Sequence, residues 1–440
     1  MSQKSTPRSS RIPTSRLGRL FNFGLLLGDF ALSSAATSLQ GLLQGKPGNT
    51  FEVLFNPRNG EKLAKRFSHL RGAAMKIGQL LSMESADLLP PAFTQALALL
   101  RSDANPMPLS QLRRLLGREY GKGWQNRFSD FDFEPLAAAS IGQVHRARTV
   151  DGRDLALKIQ YPGVARSIDS DVNNVALLLR LAKVLPVDLD VAGLIAEAKR
   201  QLRQEADYLQ EAGFLEHYRD LVADDPCLHL PCVHADFTTK RILAMDFVVG
   251  EPLESLTEET IPQTRRDAIG KVLERLMFRE LFEFRCMQTD PNFANYLVDL
   301  DSARIILLDF GSVREFSATL VEQYVRLCRA IIADDRTAVR DAAFAIGYLG
   351  PDDPEHHIDR VVDLMILICE PLCHQGLYDL AGSELPARVR ALGFELAFQH
   401  GFRRAPPPET MFLHRKLVGS FSLCARIGAR VDVQSLILPF

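Results

Sequence analysis

The stretch QTDPNFANYLVDLDSARIILLDFG, residues 288–311, decides how this chain folds. Two short apolar runs inside it, residues 296–298 and 305–308, predict strands joined by a polar turn. Asn295 enters the first strand and Asp309 follows the second, so we expect the hairpin to bring these two side chains together. Amide and carboxylate oxygens are hard ligands that suit Mg²⁺. The stretch therefore predicts a magnesium site at one end of a hairpin.

A second acid stands at the start of the same stretch. Asp290 and Asn295 are five positions apart, which is the D-x-x-x-x-N spacing of a protein-kinase catalytic loop, and Asp309 begins a D-F-G sequence. Such enzymes transfer a phosphoryl group mainly by positioning it and stabilising its charge. The usual His-Arg before the catalytic Asp is replaced by Gln288-Thr289, and no A-P-E follows Asp309. A segment that docks a peptide substrate is therefore not expected.

A candidate for holding nucleotide phosphates lies upstream. The run Leu155-Ala156-Leu157-Lys158 is similar to the V-A-I-K strand, whose Lys contacts the α- and β-phosphates. Residues 141–147 and 155–159 predict two strands, and the Asp151-Gly152 pair between them is typical of a hairpin turn. From the pattern alone, Lys158 is either this phosphate ligand or an ordinary residue on a solvated strand face.

The pattern that follows predicts one long helix over residues 194–221, and this helix carries several acids. On an ideal helix Glu205 lies about 200° from Asp207, so both cannot face one cleft without distortion. Without further information, Glu205, Asp207 and Glu211 are also explained as a solvated helix face.

The segment before the Lys158 strand departs from the kinase pattern, because no G-x-G-x-x-G occurs in the chain. Its place is taken by Ala137, Ala138, Ala139 and Ser140, followed by 141–143 (Ile-Gly-Gln). Alanine disfavours the positive φ angles that glycine allows. A backbone cradle for phosphates would need another shape here, so ordinary protein-kinase activity is not expected.

Composition indicates a globular protein with two or three domains. The chain has 440 residues, a formal net charge of −2 and a pI near 6.6, so no nucleic-acid partner is expected. Its seven cysteines lack zinc-site spacing and are expected to be reduced, mostly buried thiols. Four regions are predicted: a basic arm with an apolar membrane-proximal segment (1–50), a helical extension (51–130), a small α/β lobe (131–250) and a helical lobe (251–440).

The N-terminal region has three interpretations. Residues 1–20 are basic and acid-free, and the apolar stretch 21–43 is interrupted by Asp29, whose charge disfavours a spanning helix. An interfacial helix behind a basic arm fits this pattern. A tail followed by a core helix, or a transit peptide over residues 1–19, explains it as well. The charged stretch 414–430 argues against a membrane span near the C terminus.

Together these motifs resemble the UbiB family of atypical kinases, also called aarF-domain-containing kinases, and in particular its mitochondrial coenzyme-Q branch. The resemblance runs from about Pro13 to the C terminus. It is carried by the K-x-G-Q sequence of 74–79, the Ala-rich loop 137–143, the E-x-D of 205–207, and the catalytic and metal loops at 288–292 and 308–311. It implies an α+β, two-lobed protein kinase-like fold with a helical N-terminal extension that carries the K-x-G-Q motif.

The resemblance also implies roles for individual positions. It pairs Lys158 with Glu211 and assigns ATP contacts to the Ala-rich loop and to a hinge at 245–248, including Asp246 and Val248. It makes Asp290 the catalytic-loop acid, and Asn295 and Asp309 the Mg²⁺ ligands. It further implies that the K-x-G-Q helix covers the peptide site of a kinase, so that Lys76 and Gln79 reach in near Glu205 and Asp207. From spacing alone, Lys76 would be a solvated residue.

The function that the resemblance implies is an ATP- and Mg²⁺-dependent ATPase or kinase that supports ubiquinone biosynthesis at a membrane surface. A small-molecule or protein kinase and a nucleotide-sensing lipid-binding scaffold are the alternatives. Expected partners are a lipid or quinone precursor, the membrane surface, other ubiquinone-biosynthesis proteins and a second copy of the chain. The expected location is peripheral at an inner membrane, on the cytoplasmic side or on the mitochondrial matrix side.

Overall fold

The structure, a computed structural model, describes residues 72–74, 76–78, 106–181, 191–402, 404 and 406–440. The predicted basic arm, the apolar segment behind it and most of the helical extension therefore lie outside the described residues. Across the part of the chain that the structure describes, no helix combines the length and the apolar character needed to cross a bilayer.

The elements follow one another in a mixed order of helix and strand. The first half contains α1 (Leu109–Glu119), β1 (Phe128–Phe131), β2 (Ala137–Ala138), β3 (Gly142–Thr149), β4 (Asp154–Gln160), α2 (Val164–Leu181), α3 (Val191–Glu205), α4 (Tyr208–Leu221), β5 (Leu228–His229) and β6 (Ile242–Asp246). The second half contains β7 (Glu251–Pro252), α5 (Gln263–Phe278), a π-helical turn (Arg279–Glu283), β8 (Cys286–Gln288), β9 (Tyr296–Asp299), β10 (Arg304–Leu307), β11 (Val313–Glu315), α6 (Ala318–Ile332), α7 (Arg336–Ile346), α8 (Glu355–Ile368), α9 (Glu370–Cys373), β12 (Tyr378–Asp379), α10 (Leu385–Phe394), a second π-helical turn (Glu395–Gln399), α11 (Thr410–Arg426), β13 (Arg430–Val431) and α12 (Val433–Ile437).

These elements form two compact units. The first contains the described residues up to Gly213 together with Cys232–Val248, and the second contains Phe214–Pro231 and Val249–Phe440. The first unit is built on an antiparallel sheet in the order β1-β3-β4-β6, with β2 paired to β3. The predicted hairpin of β3 and β4 is confirmed, and its turn uses Gly152 at a φ of 90°, a value that glycine adopts without strain.

The alternation of residues in β4 determines which of its faces meets the core. Leu155, Leu157 and Ile159 are fully buried and pack with residues of β6 and with α1. Successive side chains of a strand point to opposite faces, so Lys158 lies on the other face of the sheet. This placement frees the second face of β4 for a charged side chain.

The predicted single helix over 194–221 was wrong, because α3 ends at Glu205 and α4 begins at Tyr208. Asp207 caps the second helix, since its Oδ1 accepts a hydrogen bond from the backbone N–H of Gln210 at 3.2 Å. The Gln160 side chain donates to the freed carbonyl of Ala206 at 3.0 Å. The break lets the chain change direction between the two acids of the E-x-D motif.

The second unit contains the hairpin predicted for residues 296–308. Strands β9 and β10 pair in antiparallel fashion with Tyr296 opposite Leu307, and the sheet runs β5-β10-β9-β7. The remaining described residues of this unit are mainly helical. Among them, α6 is preceded by the N-cap Ser317, whose hydroxyl accepts from Leu320 N–H, and α7 is followed by the C-cap Gly347 with a φ of 99°.

The cysteines correct one further expectation. All seven are free thiols, but only Cys286 and Cys424 are buried, whereas Cys232 and Cys373 are exposed. The prediction of mostly buried thiols was therefore wrong. Cys232 lies in a segment with no regular structure, and Cys373 is the last residue of the short helix α9, so both side chains reach the surface.

Candidate functional site

The first unit contains an assembled lysine–glutamate ion pair. Nζ of Lys158 on β4 lies 2.6 Å from Oε1 of Glu211 on α4. Both residues are buried, with 8 % and 2 % of their surfaces exposed. The ammonium also lies 5.4 Å from the ring centroid of Tyr208, within the range of a cation–π contact. A buried ammonium held in one orientation can bind the phosphates of a nucleotide.

The Ala-rich loop, residues 137–143, forms a short hairpin rather than a glycine cradle. Ala137 pairs with Val144, and the N–H of Ala139 donates to the Gly142 carbonyl at 2.9 Å. Gly142 is required where it stands, because a Cβ atom there would lie 2.4 Å from the carbonyl oxygen of Ile159. The loop thus has its own rigid shape, set by backbone pairing and one close approach.

Ser140 ties this loop to the E-x-D motif. Its hydroxyl donates to Oε2 of Glu205 at 2.9 Å. The other carboxylate oxygen, Oε1, forms an ion pair with Lys76 of the K-x-G-Q motif. Lys76 is only 3 % exposed, so the solvated position that its spacing alone suggested is not what the structure shows.

The helical turn around Lys76 packs directly on the Ala-rich loop. A Cβ atom at Gly72 would lie 3.0 Å from Ile141 and 3.3 Å from the Ser140 carbonyl. Glu205 therefore joins two motifs that are far apart in sequence, whereas Asp207 is exposed and caps α4. Gln79, the last residue of K-x-G-Q, lies outside the described residues.

The proposed hinge holds its acidic side chain in a small polar network. Oδ1 of Asp246 lies 2.8 Å from Nε2 of His234, and Oδ2 accepts from the Cys232 N–H at 2.9 Å. Partial burial opposes the charge, but these hydrogen bonds hold the pKa of Asp246 below its usual value. Val248 is half-buried at the end of the segment. The Asp246 side chain thus holds the end of β6 to the segment 232–234.

In the second unit the hairpin brings Asn295 next to the residue before Asp309. The N–H of Leu308 donates to the Asn295 carbonyl at 3.0 Å. The Asn295 side-chain N–H donates to the Asp290 carbonyl at 2.8 Å. This bond uses the nitrogen of the amide and leaves its oxygen as the atom that can bind a cation. Oδ1 of Asp309 accepts from Gly311 N–H at 2.9 Å. An amide just before β9 and a carboxylate just after β10 suit Mg²⁺ by their donor chemistry.

Sequence reasoning missed one residue of this site. Arg415 on α11 donates through Nη2 to Oδ1 of Asp290, and its side chain is 8 % exposed. In the sequence, the stretch 414–430 stands out only as a charged segment. A charged residue on the inward face of an amphipathic helix is the signal that points to a buried partner.

Two more groups of α11 are buried against the same region. Nζ of Lys416 lies 2.8 Å from Oε2 of Glu280. Burial raises the pKa of Glu280, and the Lys416 ammonium offsets part of this increase. Burial alone would lower the pKa of Lys416, but the Glu280 carboxylate holds it above its usual value. The hydroxyl of Ser420 donates to Glu274 at 2.9 Å, and burial raises the pKa of Glu274 to about 7.

These parts are those of a protein kinase-like enzyme, and comparison with known proteins specifies the class. The model of the ABC1 atypical kinase-like domain matches residues 99–343. The chain is 36 % identical to the mitochondrial atypical kinase COQ8 of Saccharomyces cerevisiae, over 99 % of this chain and 86 % of the relative. It is also 36 % identical to the mitochondrial atypical kinase COQ8B of Rattus norvegicus, over 98 % of this chain and 81 % of the relative.

A solved structure agrees in fold. The complex of Rv3197 with erythromycin from Mycobacterium tuberculosis superposes with a TM-score of 0.59 at 25 % identity, over 86 % of this chain and 94 % of that one. The chain belongs to the ABC1 atypical kinase-like family. The predicted α+β kinase-like fold, the family and the enzyme class, a phosphotransferase or ATPase, are confirmed.

Proposed function

We propose that this chain binds Mg-ATP and uses its turnover to support ubiquinone biosynthesis at a membrane surface. The observation that carries the proposal is the assembled Lys158–Glu211 pair, 2.6 Å long, in a protein that also holds Asn295 beside the Asp309 segment. A phosphate-binding cation and a pair of Mg²⁺ ligands are what phosphoryl chemistry requires of a protein. Membership of an atypical kinase family agrees with this reading.

The residues predicted to bind nucleotide and Mg²⁺ each have a role in the proposal. Lys158, held by Glu211, contacts the nucleotide phosphates. The loop 137–140 closes over them, and the hinge at Asp246 and Val248 meets the adenine. Asn295 and Asp309 would hold Mg²⁺, which neutralises phosphate charge when bound. The lobe boundary near residue 250 is part of the same proposal.

The proposed reaction is hydrolysis or transfer to a small molecule rather than to a protein. In a kinase, the catalytic-loop Asp accepts the proton of the substrate hydroxyl. Here one oxygen of Asp290 is engaged by Arg415. The Lys76 helix is also fastened to Glu205 and lies against the Ala-rich loop. Both features disfavour an open site for a peptide.

The cellular setting of the proposal comes from the relatives. Their names describe mitochondrial atypical kinases, so we propose a peripheral location at an inner membrane, with a lipid or quinone precursor as partner. Association with other ubiquinone-biosynthesis proteins and formation of a homodimer stay predictions.

The test is ATP hydrolysis by the purified chain with Mg²⁺, with and without anionic liposomes and a phenolic mimic of a quinone precursor. We expect phosphate release that liposomes or the mimic stimulate and that Asp309→Asn abolishes. Asp301→Asn, which removes a charge from the exposed turn of the same hairpin, should keep wild-type turnover. Nucleotide binding without any turnover would instead favour the nucleotide-sensing scaffold. A phosphorylated product formed as fast as ATP is lost would favour a kinase.

A further inference from the structure

The two ends of the catalytic loop converge on one buried ammonium. At the first end, the backbone N–H of Gln288 donates to Oε1 of Glu280 at 3.1 Å, and Oε2 of Glu280 lies 2.8 Å from Nζ of Lys416. At the second end, the hydroxyl of Tyr296 lies close enough to the Lys416 ammonium for the two groups to interact. Asp290 and Asn295 lie between these two anchor points.

We propose that Lys416 is a positioning residue that closes the catalytic loop by joining its two ends through Glu280 and Tyr296. The inference rests on the proposed function, because it assigns the geometry of Asp290 and Asn295 to a residue outside the loop. Lys416 does not touch the reacting atoms in this role. It fixes the distance between the two ends of the loop, Gln288 and Tyr296.

Helix α11 meets the loop itself as well as its ends. A Cβ atom at Gly419 would lie 2.0 Å from Cγ of Pro291, so the helix backbone is in direct contact with the loop. The Arg415 side chain reaches Asp290 from the same helix. Lys416 is therefore part of a rigid surface on which the loop rests.

Energetics favour a positioning role over a merely stabilising one. Lys416 is 3 % exposed and Glu280 is fully buried. Removing two charges from water is unfavourable, and replacing a buried pair with apolar residues is often neutral or stabilising. Apolar side chains could fill this part of the interior at a lower cost in free energy. What those side chains could not do is accept from Gln288 N–H and bind Tyr296 at the same time.

The experiment uses the full chain and compares Glu280→Leu, Lys416→Met, the double variant Glu280→Leu/Lys416→Met and Tyr296→Phe. Lys271→Met, an exposed lysine of α5, is the matched control. We expect each single charge removal to lower the melting temperature, because it leaves a buried charge unpaired, and the double variant to regain it. The double variant should still lose at least about tenfold in kcat for Mg-ATP with KM within about twofold, since loop geometry is lost.

A second readout does not depend on activity. Hydrogen exchange of the backbone amides over 286–296 should be faster in the double variant, while β3 and β4 exchange as in the wild type. Tyr296→Phe removes one hydroxyl and should speed exchange near that end and lower kcat about two- to fivefold. If the double variant does not fold, Tyr296→Phe decides the question.

The outcomes separate the two proposals. A wild-type kcat and wild-type exchange in the folded double variant, or in Tyr296→Phe, would overturn the role of Lys416. No turnover by the wild type would overturn the proposed function instead, and the exchange measurement would still test whether Lys416 holds the loop.

Discussion

The ammonium of Lys158 and the carboxylate of Glu211, 53 positions apart in sequence, are joined by a 2.6 Å hydrogen bond in the interior of the first unit. Strand β4 supplies the cation and helix α4 the anion. A charge this well buried needs its partner, because an unpaired buried ion is strongly destabilising. The pair therefore links the conformation of α4 to the position of the Lys158 ammonium.

Removing the carboxylate of this pair should weaken nucleotide binding. In Glu211→Gln the lysine keeps its surroundings but loses the anion that orients it, so we expect Mg-ATP affinity to fall at least about tenfold. Titration calorimetry measures this directly. Glu216→Gln, on an exposed position of the same helix, should bind as the wild type does. Unchanged affinity in Glu211→Gln would mean that Lys158 does not contact the nucleotide.

Ser140→Ala should loosen the Ala-rich loop. It removes the 2.9 Å hydrogen bond to Glu205 and leaves that carboxylate with Lys76. Loss of one hydrogen bond to a charged group is worth about 1.5–3 kcal/mol, so nucleotide affinity is expected to change by about tenfold or more. Fluorescent-nucleotide binding checks this, with Ser129→Ala on β1 as the control. Equal affinities for the two variants would contradict a role of the loop in nucleotide binding.

Arg415→Met should slow turnover without abolishing nucleotide binding. The change frees Oδ1 of Asp290 and removes a constraint on the orientation of this carboxylate. We expect kcat for ATP hydrolysis to fall at least about tenfold while KM stays within about threefold. Arg390→Met, an exposed arginine of α10, serves as the control. A faster reaction in Arg415→Met would show that the arginine restrains Asp290 instead of positioning it.

Glu274 should make stability depend on pH. Its folded pKa of about 7 exceeds the ordinary value of 4.5 because of burial. A raised pKa means that the folded state binds the proton more tightly, so this stabilisation is complete below about pH 4.5. It is lost as pH rises through about 7, by about 3 kcal/mol. The melting temperature of Glu274→Gln minus that of the wild type should therefore increase between pH 5 and pH 8.

The control for this pH effect is Glu259→Gln, since Glu259 is exposed. Its melting temperature should follow that of the wild type at both pH values. If Glu274→Gln also follows the wild type at both values, the carboxyl is ionised in the folded protein and hydrogen bonds from Ser420 and Cys424 outweigh its burial.

Local patterns in the sequence were enough for the parts of the site that lie on regular strands. The β3–β4 and β9–β10 hairpins were predictable because alternating apolar residues and turn residues are local signals. The break between α3 and α4 was not found, although Asp207 is a good N-cap residue. Helical periodicity continues across it, and the hydrogen bond from Gln160 to Ala206 comes from a distant strand.

Local sequence specifies the family motifs, the strand that carries Lys158, the two strands that adjoin Asn295 and Asp309, and the absence of a glycine-rich loop. Which charges meet depends on how distant elements pack. It buries Lys76 against Glu205, sets Arg415 on Asp290, and places Lys416 between Glu280 and Tyr296. The reason is physical: strand and turn preferences act over a few residues, whereas a buried ion pair forms only when packing removes water from two side chains far apart in the chain.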